Sequence, residues 1–232
     1  MDYYFGTISS DDKIILEEDE SNHLIHVRRS KVGDLVKITD GEGNLYIAEL
    51  LRIDKKHGEL IAREKIRSKK KPYHLHIALA PTKSIDRIEW FLEKATETGV
   101  DEISFFISRH SERKEVKIDR LKRVALSAIK QSQKTFLPKL NPAVEFKKFI
   151  IQQFNGTKLI CSMAADEHDN MKKNYQPGHS LTVLIGPEGD FHADELALAR
   201  EAGFHAISLG ISRLRAETAA LNVCTIFNFM NA

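Results

Sequence analysis

The hydrophobic period changes once along this chain, around Arg67–Tyr73, and that change limits the folds open to it. Upstream, short apolar runs are broken by turn residues and read as strands. "KIILEEDES" leads into a polar turn, "GDLVKITDGEGNLYIAELLRID" carries a hairpin signal at "DGEGN", and "HGELIAREKI" is a further strand. Between them, "SNHLIHVRRSKVGD" reads as one short helix or turn starting at Ser21 or Asn22. The cationic "RSKKKPY", with its proline, reads as a linker. From His74 onward strands and helices alternate, which calls for an α/β domain. The expectation is a small β-barrel over residues 1–70, followed over residues 71–232 by a mostly parallel sheet with helices on both faces.

The helices of the second part carry one apolar face each. In "SIDRIEWFLEKATETG" it is Ile88, Phe91, Leu92 and Ala95; in "DRLKRVALSAIKQSQK" it is Leu121, Val124, Ala125, Ala128 and Ile129. "HLHIALA", "DEISFFIS", "KLICSMA", "SLTVLIG" and "HAISLG" are the strands, with "HADELALAREAG" and "AETAALNVCTIFNFM" as the last two helices. "SLTVLIG" is apolar almost throughout, as a strand covered on both faces should be.

Composition removes several classes of function. No apolar stretch approaches the roughly 18 residues of a membrane helix, and the N-terminus lacks the basic and apolar regions of a secretory signal. Cys161 and Cys224 sit inside apolar runs and read as buried thiols of a cytoplasmic protein; no metal framework is expected from two cysteines. Charge is unevenly spread. Residues 1–72 hold 14 Lys and Arg against 14 Asp and Glu, whereas residues 107–150 hold 12 against 4. The second block suits a polyanion, and equally a solvated helix face.

In open α/β sheets, ligands bind outside the carboxyl ends of the strands. Three loops hold that position: "SMAADEHD", "GPEGDF" and "LGISRLRAET". None is a dinucleotide fingerprint or a P-loop. Each alone reads as structural, while their joint placement favours binding. In "GPEGDF", Pro187 suits the second position of a β-turn and Gly189 the fourth, and Asp190 reads as the cap of the helix at 192–202. "RLRAET" gathers Arg213, Arg215, Glu217 and Thr218 where a strand gives way to a helix. It is either an ordinary helix start, with Glu217 favoured by the macrodipole, or a cationic clamp with a carboxylate for proton transfer. His23 and His26 read as surface or packing histidines.

"LIGPEGDF", followed by "SLGISRLRAETAALNV", resembles the C-terminal signature of SPOUT methyltransferases, and more narrowly the family that methylates uridine N3 in small-subunit (16S) ribosomal RNA. "HLIHVRRSKVGD", "KSIDRIEWFLEKATETGVDEI" and "AIKQSQKTFLPKL" extend the resemblance over the whole chain. Asp190 stands where that family usually has glycine, Lys130-Gln131 and Lys134 differ from its Glu-Gln and Arg, and Ser212-Arg213 replaces its Arg-Ile. The resemblance implies a PUA-like N-terminal barrel and a trefoil-knotted α/β domain that forms homodimers. It implies S-adenosylmethionine as cofactor, held by Gly186, Glu188 and Gly189 on one side, by Leu209, Gly210 and Leu214 on another, and by Met163 on a third. Arg215 would then stabilise an anion or phosphate, and Glu217 would serve proton transfer or loop order. Arg28, Arg29, Lys83, Arg87, Arg120, Arg123, Lys130 and Lys134 would hold RNA phosphates, on free ribosomal RNA or on the 30S subunit. A ribose 2′-O-methyltransferase of the same superfamily is the alternative enzyme. A non-catalytic RNA-binding protein is the alternative outside enzymes, and retention of both glycine loops speaks against it.

Overall fold

The computed structural model describes residues 3–9, 11–53 and 58–232. Residues Met1–Lys70 form one compact unit together with Leu126–Leu137; Lys71–Ala125 and Pro138–Ala232 form the other.

The first unit is a closed five-stranded barrel. Its strands are β1 (Tyr3–Ile8), β2 (Lys13–Leu16), β3 (Leu35–Thr39), β4 (Asn44–Ile53) and β5 (Gly58–Arg67), in the order β1-β2-β5-β4-β3. All neighbours are antiparallel except β1 and β3, whose parallel pairing closes the barrel. Alternation sends Tyr4, Ile14, Leu16, Val36, Ile38, Tyr46, Ala48, Leu50 and Leu60 inward, and Leu24 joins them. Asp54 and His57, the ends of two expected strands, lie outside the described residues. The segment expected to turn helical at Ser21 or Asn22 does so earlier: α1 spans Glu18–Asn22 and passes into a π-helical turn at His23–Val27. The acidic start at Glu18, Asp19 and Glu20 suits the helix dipole, which explains the earlier boundary. His23 and His26 are exposed, as expected.

At "DGEGN" the Asp40 carboxylate accepts hydrogen bonds from Glu42 N (2.8 Å), Asn44 N (3.1 Å) and Asn44 Nδ2 (2.6 Å). Gly43, at φ +98°, lets the Phe136 ring approach so closely that a Cβ there would lie 2.4 Å from it. The segment 126–137 is tied to the barrel by main-chain bonds at Thr135 and Leu137 and by an ion pair between Lys130 and Glu20.

The second unit is a six-stranded sheet, all parallel, built from β6 (Leu75–Leu79), β7 (Glu102–Ile107), β8 (Lys139–Glu145), β9 (Thr157–Cys161), β10 (Leu181–Ile185) and β11 (His205–Ile207) in the order β11-β9-β10-β6-β7-β8. Its helices are α2 (Ile85–Thr98), α4 (Phe146–Ile150), α5 (Met171–Asn174), α6 (Ala193–Glu201) and α7 (Ala216–Met230), and α3 (Ile118–Gln131) belongs to it up to Ala125. β6 and β10 are buried along their whole length, so both faces of the sheet are covered. Ala78, Phe106, Ile160 and Leu184 pack with Phe146, Phe149, Phe191 and Ala199, while α7 lies against β6, β10 and α2. β8 had no counterpart in the sequence reading, because Pro142 sits inside it. A proline is admitted here since β8 is an edge strand and its register with β7 slips at Ser104/Phe105, beside Pro142. Among the described residues, no helix is long and apolar enough to cross a membrane, and no group of three or more His, Cys, Asp or Glu is placed to hold a metal ion.

Candidate active site

β11, β9 and β10 are adjacent and parallel, with Ile207, Cys161 and Ile185 level at their carboxyl ends. The three glycine- and serine-bearing loops therefore leave the sheet side by side and enclose a cavity of about 370 Å³. This is within the ordinary range for a small-molecule site. Its apolar wall comes from Ile185, Met163, Leu209, Leu214 and Ala219, and its charged rim from Arg87, Glu188, Asp190, Arg213 and Arg215. Gly210 lies at φ +111°, and a Cβ there would meet no protein atom within 4 Å, so main chain borders open space at this point.

Of the residues expected around a cofactor, Met163, Gly186, Glu188, Leu209, Gly210 and Leu214 line this cavity. Gly189 does not line it; its Cα faces the His110 side chain, which a Cβ would meet at 3.3 Å. The turn is also shifted by one residue from the expected position. Asp190 N donates to Pro187 O (3.0 Å), so Pro187 opens the turn and Gly189 is its third residue. Asp190 does not cap the following helix. His192 does, with its ring accepting from Asp194 N and Glu195 reaching back to His192 N (2.9 Å). Asp190 instead lies at φ +60°, in the left-handed region that a glycine enters without strain. Its Oδ2 accepts hydrogen bonds from Ser162 Oγ and Met163 N, both at 3.0 Å.

Glu188 accepts from Lys83 N (3.3 Å), and its main-chain oxygen accepts from Arg213 Nη2 (3.3 Å). Arg87 stands between two carboxylates, 3.9 Å from Glu188 and 3.8 Å from Glu217. Arg215 is exposed on the cavity rim at the N-cap of α7, while Glu217, in the first turn of that helix, is 6% exposed and outside the lining. Cys161 lines the cavity, but burial, reinforced by the Asp190 charge, raises its thiol pKa; burial pushes Cys224 up to about 12. Both are free thiols, Cys161 partly exposed and Cys224 buried, and the raised pKa of each disfavours the thiolate form.

The RNA methyltransferase domain family model matches residues 69–228, and the RNA methyltransferase PUA domain model matches residues 16–62. The chain belongs to the RNA methyltransferase family. A ribosomal RNA small subunit methyltransferase E of Mesomycoplasma hyopneumoniae is 32% identical to this methyltransferase over 211 residues, covering 87% of this chain and 89% of the relative. The crystal structure of a probable rRNA-methyltransferase from Porphyromonas gingivalis is 36% identical with a TM-score of 0.91, covering 100% of this chain and 98% of that one. A ribosomal RNA small subunit methyltransferase E from Neisseria gonorrhoeae, solved bound to S-adenosyl methionine, shares the fold at 24% identity with a TM-score of 0.88, over 100% and 98% of the two chains.

The cations expected on RNA are placed differently from one another in the methyltransferase. Arg28, Arg29 and Arg123 are exposed, and Lys134 is partly buried. Lys83 Nζ lies 3.0 Å from Glu112. Arg120 holds Glu89 through two nitrogens, Lys130 is engaged by Glu20, and Arg87 belongs to the cavity wall. Sequence reasoning passed over Ser162, and Arg87 as a cavity residue. No local pattern marks either, since both reach the site through loops and helices far apart in the chain.

Proposed function

We propose that this methyltransferase transfers a methyl group from S-adenosylmethionine to N3 of a uridine in small-subunit (16S) ribosomal RNA. The carrying observation is the cavity at the carboxyl ends of β9, β10 and β11, with apolar walls, main chain open at Gly210, and Arg215 exposed on its rim. Its lining fits a cofactor that combines an adenine ring and methylene groups with polar ends: Met163, Leu209 and Leu214 for the first, loop main chain around Gly186 and Gly210 for the second. The cofactor supplies an activated methyl on a sulfonium whose departure needs no acid.

The chain's own part is positioning and charge. Holding the two reactants in line is worth on the order of 7–11 kcal/mol. Uracil N3 carries a proton at neutral pH; that proton passes to solvent water, and the N3 lone pair it leaves behind becomes available for transfer. Arg215 supports the negative charge that then develops on the uracil ring. Glu217 is too buried to meet the base directly; it orders the start of α7 through Arg87. Residues 1–70, with 126–137, serve as the RNA-binding barrel and the rest of 71–232 as the catalytic domain, with Arg28, Arg29, Lys83 and Arg123 on phosphates. The connection from β11 at the sheet edge back to α7 on β6 and β10 is consistent with the trefoil knot of the resembling family. We also place the protein in the cytoplasm as a homodimer through the α/β domain.

The test is methylation of purified 30S subunits and of free 16S RNA with labelled cofactor, followed by nucleoside analysis. Label in 3-methyluridine is expected. Label on a ribose oxygen, or binding of RNA without transfer, would replace this reading with one of its two alternatives.

A further inference from the structure

Asp190 occupies a backbone conformation that glycine would hold without strain, yet it carries a carboxylate of which one oxygen is bonded to the cavity-lining residues Ser162 and Met163. Its Oδ2 takes hydrogen bonds from Ser162 Oγ and Met163 N in the loop after β9, and its Oδ1 takes one from Phe191 N at 2.9 Å. The Ser162 hydroxyl, oriented as a donor, offers its lone pair to Ala164 N at 3.1 Å. The carboxylate thereby orders both the wall that ends in Met163 and the turn behind it. At the other end the anchor is firm. The Phe191 ring is buried against Phe106 and Phe146 and fills the space a Gly186 side chain would need, 2.9 Å from the position of its Cβ. The Asp190 carbonyl is 3.0 Å from His110 Nδ1 in the loop after β7. Left-handed strain at a non-glycine residue persists only where surrounding contacts hold it, and charge-assisted bonds to two N–H groups and a hydroxyl are such contacts.

We infer that Asp190 is a positioning residue that straps the loop after β10 to the loop after β9 and so presets the Met163 wall for the methyl donor. The inference rests on the proposed reading of this cavity as the S-adenosylmethionine site. A wall already ordered before binding spares the cofactor the entropy of ordering it. The strap therefore acts on cofactor affinity, through Met163 and Ser162, and not on the transfer step.

The experiment compares the full-length protein with Asp190→Gly and Asp190→Asn. Glycine relaxes the backbone, so the variant keeps its fold while losing the strap; asparagine keeps one acceptor oxygen and tolerates the left-handed conformation. Amide hydrogen exchange without cofactor should speed up at Met163 and Ala164 in Asp190→Gly by about ten-fold, with Leu159 and Ile160 of β9 unchanged. Calorimetry with S-adenosylmethionine should show affinity weakened by about ten-fold for glycine and about three-fold for asparagine, with the kinetic loss in KM for the cofactor. Faster exchange with unchanged affinity would overturn the inference, as would unchanged exchange, or a fall in kcat at constant KM. Failure of the unaltered protein to bind S-adenosylmethionine would instead overturn the functional reading, while the exchange data would still report on the strap itself.

Discussion

Arg87 Nε stands 3.8 Å from Glu217 Oε1, joining the first turn of α2 to the first turn of α7. Glu217 is buried, and its other oxygen has no hydrogen-bond partner, so this one cation is the main compensation for a buried negative charge. Arg87→Ala is expected to destabilise the α/β unit by about 1–2 kcal/mol, between the value for an exposed pair and the roughly 3–5 kcal/mol for breaking a fully buried one, because Arg87 is itself partly exposed. Glu217→Gln in the same background should recover most of that loss. Urea unfolding followed by the fluorescence of Trp90, on α2 of the same unit, measures both; a Gln that recovers nothing would remove the charge argument.

Arg215 presents its guanidinium on the cavity rim, where charge develops on the acceptor base. Arg215→Ala should lower kcat by about 100-fold. Cofactor affinity should stay within about three-fold, since the loss belongs to the transition state. Single-turnover methylation together with calorimetry separates the two effects. A variant that loses affinity instead would make Arg215 a cofactor residue.

His76 is buried beside Phe149 and Phe154, with its Nε2 2.7 Å from Ser104 Oγ. Burial is the largest cause that lowers its pKa from 6.5 to about 4, opposed by the nearby Glu102 charge. Above pH 6.5 the ring is neutral folded or unfolded and costs nothing. Between 6.5 and 4 the unfolded chain takes up a proton that the folded one refuses, so stability falls by up to about 3 kcal/mol as pH drops. Glu102, whose pKa is lowered mainly by its bond to His74, stays ionised in the fold through this window and loses its contribution only at lower pH. Urea midpoints at pH 7.5 and 5 should differ less in His76→Gln than in the unaltered protein.

Gly43 and Gly33 both have positive φ, but only Gly43 is closely packed. Gly33→Ala should cost about 1–2 kcal/mol for the backbone alone. Gly43→Ala should cost about 2–4 kcal/mol, because the Phe136 ring must also be displaced. Hydrogen exchange of barrel amides reads the difference, and equal costs would mean that Phe136 yields freely.

RNA binding should weaken steeply with salt. Arg29→Ala and Arg123→Ala should each reduce the slope of log affinity against log salt by about 0.7, the value for a contact to a single-stranded phosphate. Arg120→Ala should change it little, since Glu89 already neutralises that guanidinium. Filter binding over a salt series decides, and an unchanged slope in all three would exclude these side chains from the RNA contact.

Much of this molecule could be read along the chain because local periodicity follows from burial. The alternation in β3 and β4, the apolar faces of α2 and α3, and the boundaries of α7 all express one side facing a core. The three site loops were legible for a related reason, since parallel strands must release their loops on one edge of the sheet. What the sequence does not contain is which distant groups meet. β8 was hidden because its proline is acceptable only at a sheet edge, and edge position is a property of the assembled sheet. Leu126–Leu137 belongs with the barrel through Lys130, Thr135 and Phe136, whose partners lie near the start of the chain. Asp190 read locally as a helix cap; three-dimensional packing instead aims its carboxylate at Ser162 and Met163. Local pattern determined the elements and the edge on which chemistry sits. Pairing of charges and hydrogen bonds across the fold depends on distances that only the packed tertiary structure sets.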